Sequence, residues 1–165
     1  MRHDIAPPVP LPSARSMAFA VIVSRFNQDV TGRLRAGAEQ ALNEAGAERV
    51  EVFDVPGAFE LPLAAKAAAA TRRFDAVVCL GCLVRGETPH FDYISSAVSH
   101  GLADASLQTG VPVAFGVLTV DTLAQAEARA LPDRTNKGFE AAAAAVEMVH
   151  LLRRVAVAAT PPLRA

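Results

Sequence analysis

The sequence predicts an α/β protein, a three-layer α/β/α sandwich built on a four-stranded parallel sheet. Three observations predict it. Four apolar, β-branched blocks are each followed by a segment whose apolar residues recur at helical spacing. The first block, Met17 to Ser24, is apolar throughout instead of alternating, as strands covered on both faces are. Right-handed crossovers through the intervening helices then make the strands parallel. With 165 residues and 52% hydrophobic composition the chain has material for one core. A single domain is expected over residues 16–156, with a flexible proline-rich arm at 1–15 and a flexible tail at 157–165.

The arm follows from Pro7, Pro8, Pro10 and Pro12, which remove backbone donors and fix φ. Met17 to Ser24 is the first strand. From Gln28 to Ala45 the positions Val30, Leu34, Ala38, Ala41, Leu42 and Ala45 form one helical face, and Gly46 supplies a stop. Arg49 to Val55 is the second strand. After the Pro56-Gly57 break, the alanine-rich stretch from Ala58 to Thr71 reads as a helix. Asp75 to Val84 is the third strand. The next helix runs from Pro89 to Gln108, with Thr88 as its N-cap and Pro89 at the first helical position. Val111 to Leu118 is the fourth strand, followed by Asp121 as a second N-cap and helices over Thr122 to Ala130 and Thr135 to Val155. The alanine run Ala141 to Ala145 lets another backbone come close, either the sheet or a neighbouring subunit.

Composition narrows the function. The formal net charge is -1, so no global basic field exists to hold a nucleic acid or an anionic membrane, and a small molecule is the expected partner. Arg72-Arg73 and Arg153-Arg154 fall at predicted helix ends and read as structural. No apolar run reaches membrane length and no signal peptide is visible, so a cytoplasmic location is expected. Cys79 and Cys82 have C-x-x-C spacing, but on a strand residues three apart point to opposite faces. They are expected to be free, buried thiols, with no metal site.

Parallel sheets bind ligands outside the carboxyl ends of their strands, which directs attention to the loops after Val23, Val55, Val84 and Leu118. Phe26 in the first loop either stacks on a flat heterocycle or packs over its own helix. Glu60, flanked by Phe59 and Leu61, is either a charge favoured at a helix N-terminus or an acceptor for ligand hydroxyls. The third loop, Arg85 to His90, is the most informative. Gly86 permits close approach, the helix start offers unpaired N–H groups and Thr88 adds a hydroxyl, together suiting a phosphate. His90 beside it is either a proton donor or a ring that merely caps the helix. Arg129, Arg134 and Lys137 follow the fourth strand, and spacing alone does not separate phosphate ligands from solvated helix ends.

Taken together, SRFN, VPGAFELP, GCLVRGETPHFDYI, FGVLTVDT and NKGFEAA resemble, in order and spacing, the lumazine synthases over roughly residues 17–154. The resemblance implies a flavodoxin-like sandwich of strand order 2-1-3-4 and a cofactor-free transferase. Its reaction would condense 5-amino-6-(D-ribitylamino)uracil with 3,4-dihydroxy-2-butanone 4-phosphate to 6,7-dimethyl-8-ribityllumazine, the penultimate step of riboflavin biosynthesis. Phe26 would stack on the pyrimidine, Ala58, Phe59 and Glu60 would contact the ribityl chain and polar edge, and Cys82, Leu83 and Val84 would line the ring pocket. Glu87 and Thr88 would hold the phosphate with Arg129, and His90 would transfer protons. Phe115, Arg129 and Lys137 would come from the adjacent subunit of a homo-oligomer whose family unit is a pentamer.

Two departures stand out. Glu87 occupies a position where many relatives carry a small or neutral residue, so its contact with phosphate should use the backbone N–H. Leu131 to Thr135 replaces a segment usually richer in glycine, which favours pentamers or paired pentamers over icosahedral shells. Two other classes compete, a non-catalytic flavin- or lumazine-binding module and a shell-forming scaffold. The first has no need of a proton donor beside a phosphate, and against the second every site position still carries workable chemistry.

Overall fold

The computed structural model describes residues 10–158. The four strands are β1 (Ala18–Ser24), β2 (Arg49–Val55), β3 (Ala76–Val84) and β4 (Val113–Val120), all parallel in the order β2-β1-β3-β4. The helices are α1 (Gln28–Glu44), α2 (Leu61–Ala70), α3 (His90–Thr109), α4 (Leu123–Glu127) and α5 (Lys137–Ala158). The sheet separates two cores. On one face Phe19, Val21, Val78, Leu80 and Cys82 meet Leu34, Ala38 and Leu42 of α1 and Ala142, Ala145 and Val146 of α5. On the other, Ala20, Ile22, Val77 and Cys79 meet Leu61 and Ala65 of α2 and Val98 and Leu102 of α3. Burial on both sides is what makes β1 and β3 read as unbroken apolar runs, whereas the edge strand β2 keeps Arg49, Glu51 and Asp54 among its valines.

The two thiols fall in different cores, as alternation along β3 requires, and both are free. Burial raises the pKa of each above its ordinary value, so neither presents a reactive thiolate. The alanine run serves the sheet and α1, for Ala141, Ala142 and Ala145 are buried. Gly138 shows how close α5 lies, because a Cβ there would sit 1.9 Å from the Leu34 carbonyl oxygen.

Several boundaries differ from those the sequence suggests. β4 starts at Val113 because Pro112 cannot donate to the ladder; its carbonyl accepts from Val77 N–H, and the strand runs on to pair Val120 with Val84. α3 begins at His90, not Pro89. The Pro89 carbonyl accepts the first helical bonds from Asp92 and Tyr93, and Thr88 makes no capping bond. Thr122, not Asp121, caps α4, its hydroxyl accepting from Gln125 N–H. That helix stops at Glu127 instead of Ala130. α2 is preceded by a 3-10 turn over Ala58–Glu60, where the sequence suggests helix from Ala58.

α5 starts two residues after Thr135, behind Asn136, and runs to Ala158, so Val157 and Ala158 belong to the helix and not to a tail. The described part of the arm is anchored. Ala14 is buried and its N–H donates to Ala45 at 2.7 Å, while His150 Nε2 donates to the Ser13 carbonyl. The expectations for residues 1–9 and 159–165 fall outside the described residues. The paired arginines act as surface ion pairs, Arg73 with Glu51 and Arg153 with Asp75. Among the described residues, no helix is long and apolar enough to cross a membrane.

Candidate active site

The carboxyl ends of β1 and β2 bring the first two loops together. Asn27 sits in the left-handed region (φ 55°, ψ 50°), a turn that asparagine tolerates better than most residues and that swings the chain from β1 into α1. Its side-chain amide donates to the Cys82 carbonyl at 2.9 Å, tying the first loop to the end of β3. Arg25 N–H donates to the Val55 carbonyl, tying the same loop to β2. Phe26 is thereby held out at 70% exposure. A Cβ placed on Gly57 would lie 3.6 Å from the Phe26 ring and 3.0 Å from Glu60 Oε2, so the bare glycine is the floor between an aromatic face and a carboxylate. Phe59 is 57% exposed, Ala58 is buried, and the Glu60 side chain makes no helix-capping bond. Burying a Phe ring contributes roughly 1.5 to 3 kcal/mol, so two rings left in water at one rim mark a surface that something covers.

The end of β3 adds Leu83 and Val84, both half-buried at the rim. Cys82 differs from the expectation in one respect, since its side chain is in the α1/α5 core and its carbonyl is engaged by Asn27. Beyond Arg85 the chain is open. Gly86, Glu87, Thr88, Pro89 and His90 are all exposed, and space around Gly86 is free to 4 Å. α3 starts immediately after, so its first N–H groups face this loop. Arg85 itself is committed. Its Nε donates to Asp121, its Nη1 donates to Asp92, both at 3.0 Å, and its guanidinium lies 4.2 Å from the Phe91 ring centre.

A second cluster lies along the outer edge of β4. Phe115, 45% exposed, is shared by two grooves. One, of about 300 Å³, runs along α5 and is lined by Lys137, Glu140 and Ala144; the other, of about 570 Å³, runs along α3 past Ser95, Ser99 and Thr119. The structure sorts the three cations that spacing left equivalent. Arg134 pairs with Glu44 at 2.8 Å and lies over Phe139, and Lys137 pairs with Glu140 at 2.5 Å. Arg129 donates one bond, to the Gln125 carbonyl, and among the described residues has no carboxylate in ion-pair range. The Lys137 N–H donates to the Arg129 carbonyl, so the main chain brings the two residues together.

Within one chain the β4-edge cluster adjoins the third loop, since Phe115 lines one groove with Arg85, Phe91, Asp92 and Asp121, but it is set apart from the first two loops. β4 is the edge strand, two positions from β1. In register Phe115 lies opposite Cys79 and Ile22, two residues before the end of β1.

Sequence reasoning missed the contacts made by Asn27, Arg85, Asp92, Asp121 and Asn136. Asn27 had a local signal, an asparagine directly after a strand. Asn136 had one too, three residues before Phe139, and its Oδ1 accepts from Gly138 and Phe139 N–H in the manner of an N-cap. The Arg85 contacts join residues 7 and 36 positions apart, which no local pattern reveals.

Comparison with known proteins agrees with this geometry. Residues 16–153 match the family model described as 6,7-dimethyl-8-ribityllumazine synthase. A protein named 6,7-dimethyl-8-ribityllumazine synthase from Syntrophus aciditrophicus (strain SB) is 56% identical over 144 residues, covering 86% of this chain and 94% of that relative. The chain therefore belongs to the 6,7-dimethyl-8-ribityllumazine synthase family, transferases of riboflavin biosynthesis.

Proposed function

We propose that this chain joins 5-amino-6-(D-ribitylamino)uracil to 3,4-dihydroxy-2-butanone 4-phosphate at sites shared between subunits of a cytoplasmic homo-oligomer, with the pentamer as its unit. The observation that supports this reading is that the family's site residues fall in two exposed clusters, one at the strand ends and one along the β4 edge. Phe26, Glu60 and the loop through Thr88 and His90 form one half, and Phe115, Arg129 and Lys137 form the other. A neighbour's β4 edge brought against the rim completes the constellation.

In that site Phe26 covers the face of the pyrimidine. The 3-10 turn over Ala58–Glu60 offers N–H groups and a carboxylate to the ribityl hydroxyls, while Leu83 and Val84 close the ring's edge. The phosphate rests on the backbone around Glu87 and Thr88 against the first N–H groups of α3. The Glu87 carboxylate stays in solvent, and the neighbour's Arg129 supplies the balancing charge. The pyrimidine's amine attacks the ketone and water leaves to give an imine. Phosphate is then eliminated, and the ribitylamino nitrogen closes the second ring with loss of a further water. His90, at the first position of α3 beside the phosphate, moves protons in these steps. Most of the acceleration comes from holding two reactants face to face, an effect worth about 7 to 11 kcal/mol in well-oriented systems.

The direct test mixes purified protein with both substrates and follows the lumazine's fluorescence together with released phosphate. Product and phosphate appearing in equal amounts support the reading. Tight binding of the pyrimidine with neither appearing would make the protein a binding module.

A further inference from the structure

We propose that Arg85 is a positioning residue for the phosphate-bearing substrate, shaping the 86–90 loop by clasping Asp92 and Asp121 together. The proposal rests on reading that loop as the phosphate site. Arg85 stands at the exit of β3, Asp121 at the exit of β4 and Asp92 in the first turn of α3. Its main chain and its side chain both bridge these elements. Arg85 N–H donates to the Val120 carbonyl at 2.9 Å, Nε reaches Asp121 Oδ1 at 3.0 Å, and Nη1 reaches Asp92 Oδ1 at 3.0 Å and Oδ2 at 3.2 Å. The Phe91 ring holds the guanidinium plane from one face at 4.2 Å. The chain from Gly86 to Phe91 is thus a loop closed by the Arg85–Asp92 pair, and the residues inside it are the exposed ones the phosphate would meet.

Arg85 acts on the phosphate through the loop it shapes, its Nε and Nη1 being already turned to two carboxylates. Those contacts raise its pKa, the Asp121 hydrogen bond most and the Asp92 bond next, so the guanidinium stays charged. Its charge offsets Asp92, which would otherwise face an incoming anion across the loop. The trio lines an open groove with Phe115 and Thr119 and is solvent-exposed. Exposed ion pairs add little to global stability, so removing Arg85 should loosen the loop without unfolding the domain. Lysine is a poor substitute, since a point charge cannot span two carboxylates and stack on a ring at once.

The experiment compares the unsubstituted enzyme with Arg85→Gln and Arg85→Lys as full-length, assembled proteins. Each substrate is varied in turn, inorganic phosphate is added as product inhibitor, and Tm is recorded. For Arg85→Gln the KM of the phosphate-bearing substrate and the inhibition constant of phosphate should both rise about tenfold, equivalent to ~1.4 kcal/mol. The KM of the pyrimidine and Tm should hold, and Arg85→Lys should recover part of the loss. Unchanged phosphate constants overturn the proposal, as does an equal rise in both KM values with a fall in Tm. If phosphate fails to compete with the phosphate-bearing substrate in the unsubstituted enzyme, the phosphate reading of the loop falls and takes this proposal with it. If it competes there and equally well in Arg85→Gln, only the role of Arg85 falls.

Discussion

Arg129, Arg134 and Lys137 show how context divides labour among like residues. Two of them have carboxylate partners in the chain, and Arg129 has a guanidinium with no such partner among the described residues. A charge left without an ion-pair partner can be given to a substrate's phosphate, and planar two-pronged donation suits arginine to the task. The role proposed for His90 is different, proton transfer, which typically adds ~10² to 10⁴-fold to a rate. His90→Ala should therefore leave a slow enzyme that still turns over, whereas Arg129→Ala should cost more in kcat/KM for the phosphate-bearing substrate. Steady-state rates showing the His90 change abolishing turnover and the Arg129 change harmless would reverse this ranking.

At the scale of elements, Asn136 holds three pieces together. Besides capping α5, its Nδ2 donates to the Arg33 carbonyl of α1 and to the Leu131 carbonyl of the preceding turn, and the residue is 1% exposed. Losing a cap costs ~1 kcal/mol, and buried groups left unpaired add to that, so Asn136→Ala should lose about 2 to 4 kcal/mol in urea unfolding at fixed protein concentration. Asn136→Asp keeps the cap acceptor and should fall between; a midpoint unmoved by either change would show that the bonds carry nothing. The same scale decides what could be read from the sequence. Strands buried on both faces write themselves as apolar blocks, so β1 and β3 were legible to within a residue, while β2, a partly exposed edge strand with three charged side chains, was bounded by the Pro56-Gly57 break. β4 was misplaced because Val111 and Pro112 extend its apolar run without belonging to the ladder. The starts of α3, α4 and α5 depend on which carbonyl or side chain takes the first N–H, a choice made by packing. Of the candidate site, the placement of Phe26, Glu60, Thr88 and His90 on loops at the strand ends was legible because it follows from the parallel order. The Arg85 clasp and the Asn27 tie exist only once distant loops meet.

The whole molecule carries an imbalance that a single chain does not resolve. Phe26, Phe59 and Phe115 stand in water, and the β4 edge is unpaired within the chain. The residues expected to surround one pair of substrates lie in two clusters, one at the strand ends and one along the edge strand. Placing copies in a ring, with one neighbour's edge against the next one's rim, covers the rings and unites the clusters in one step. On the proposed reading catalysis belongs to the seam between subunits, and a lone chain would bind weakly and turn over poorly.

That claim is tested most directly by complementation between two crippled variants, Thr88→Val with His90→Ala on one chain and Phe115→Ala with Arg129→Ala on the other. Each homo-oligomer should be nearly inactive. Co-assembled in equal amounts, roughly a quarter of the seams in a ring would pair two intact halves, and lumazine formation should return toward that fraction of the unsubstituted rate. Mixed assemblies no more active than either parent, with mixing verified by mass, would contradict the shared site.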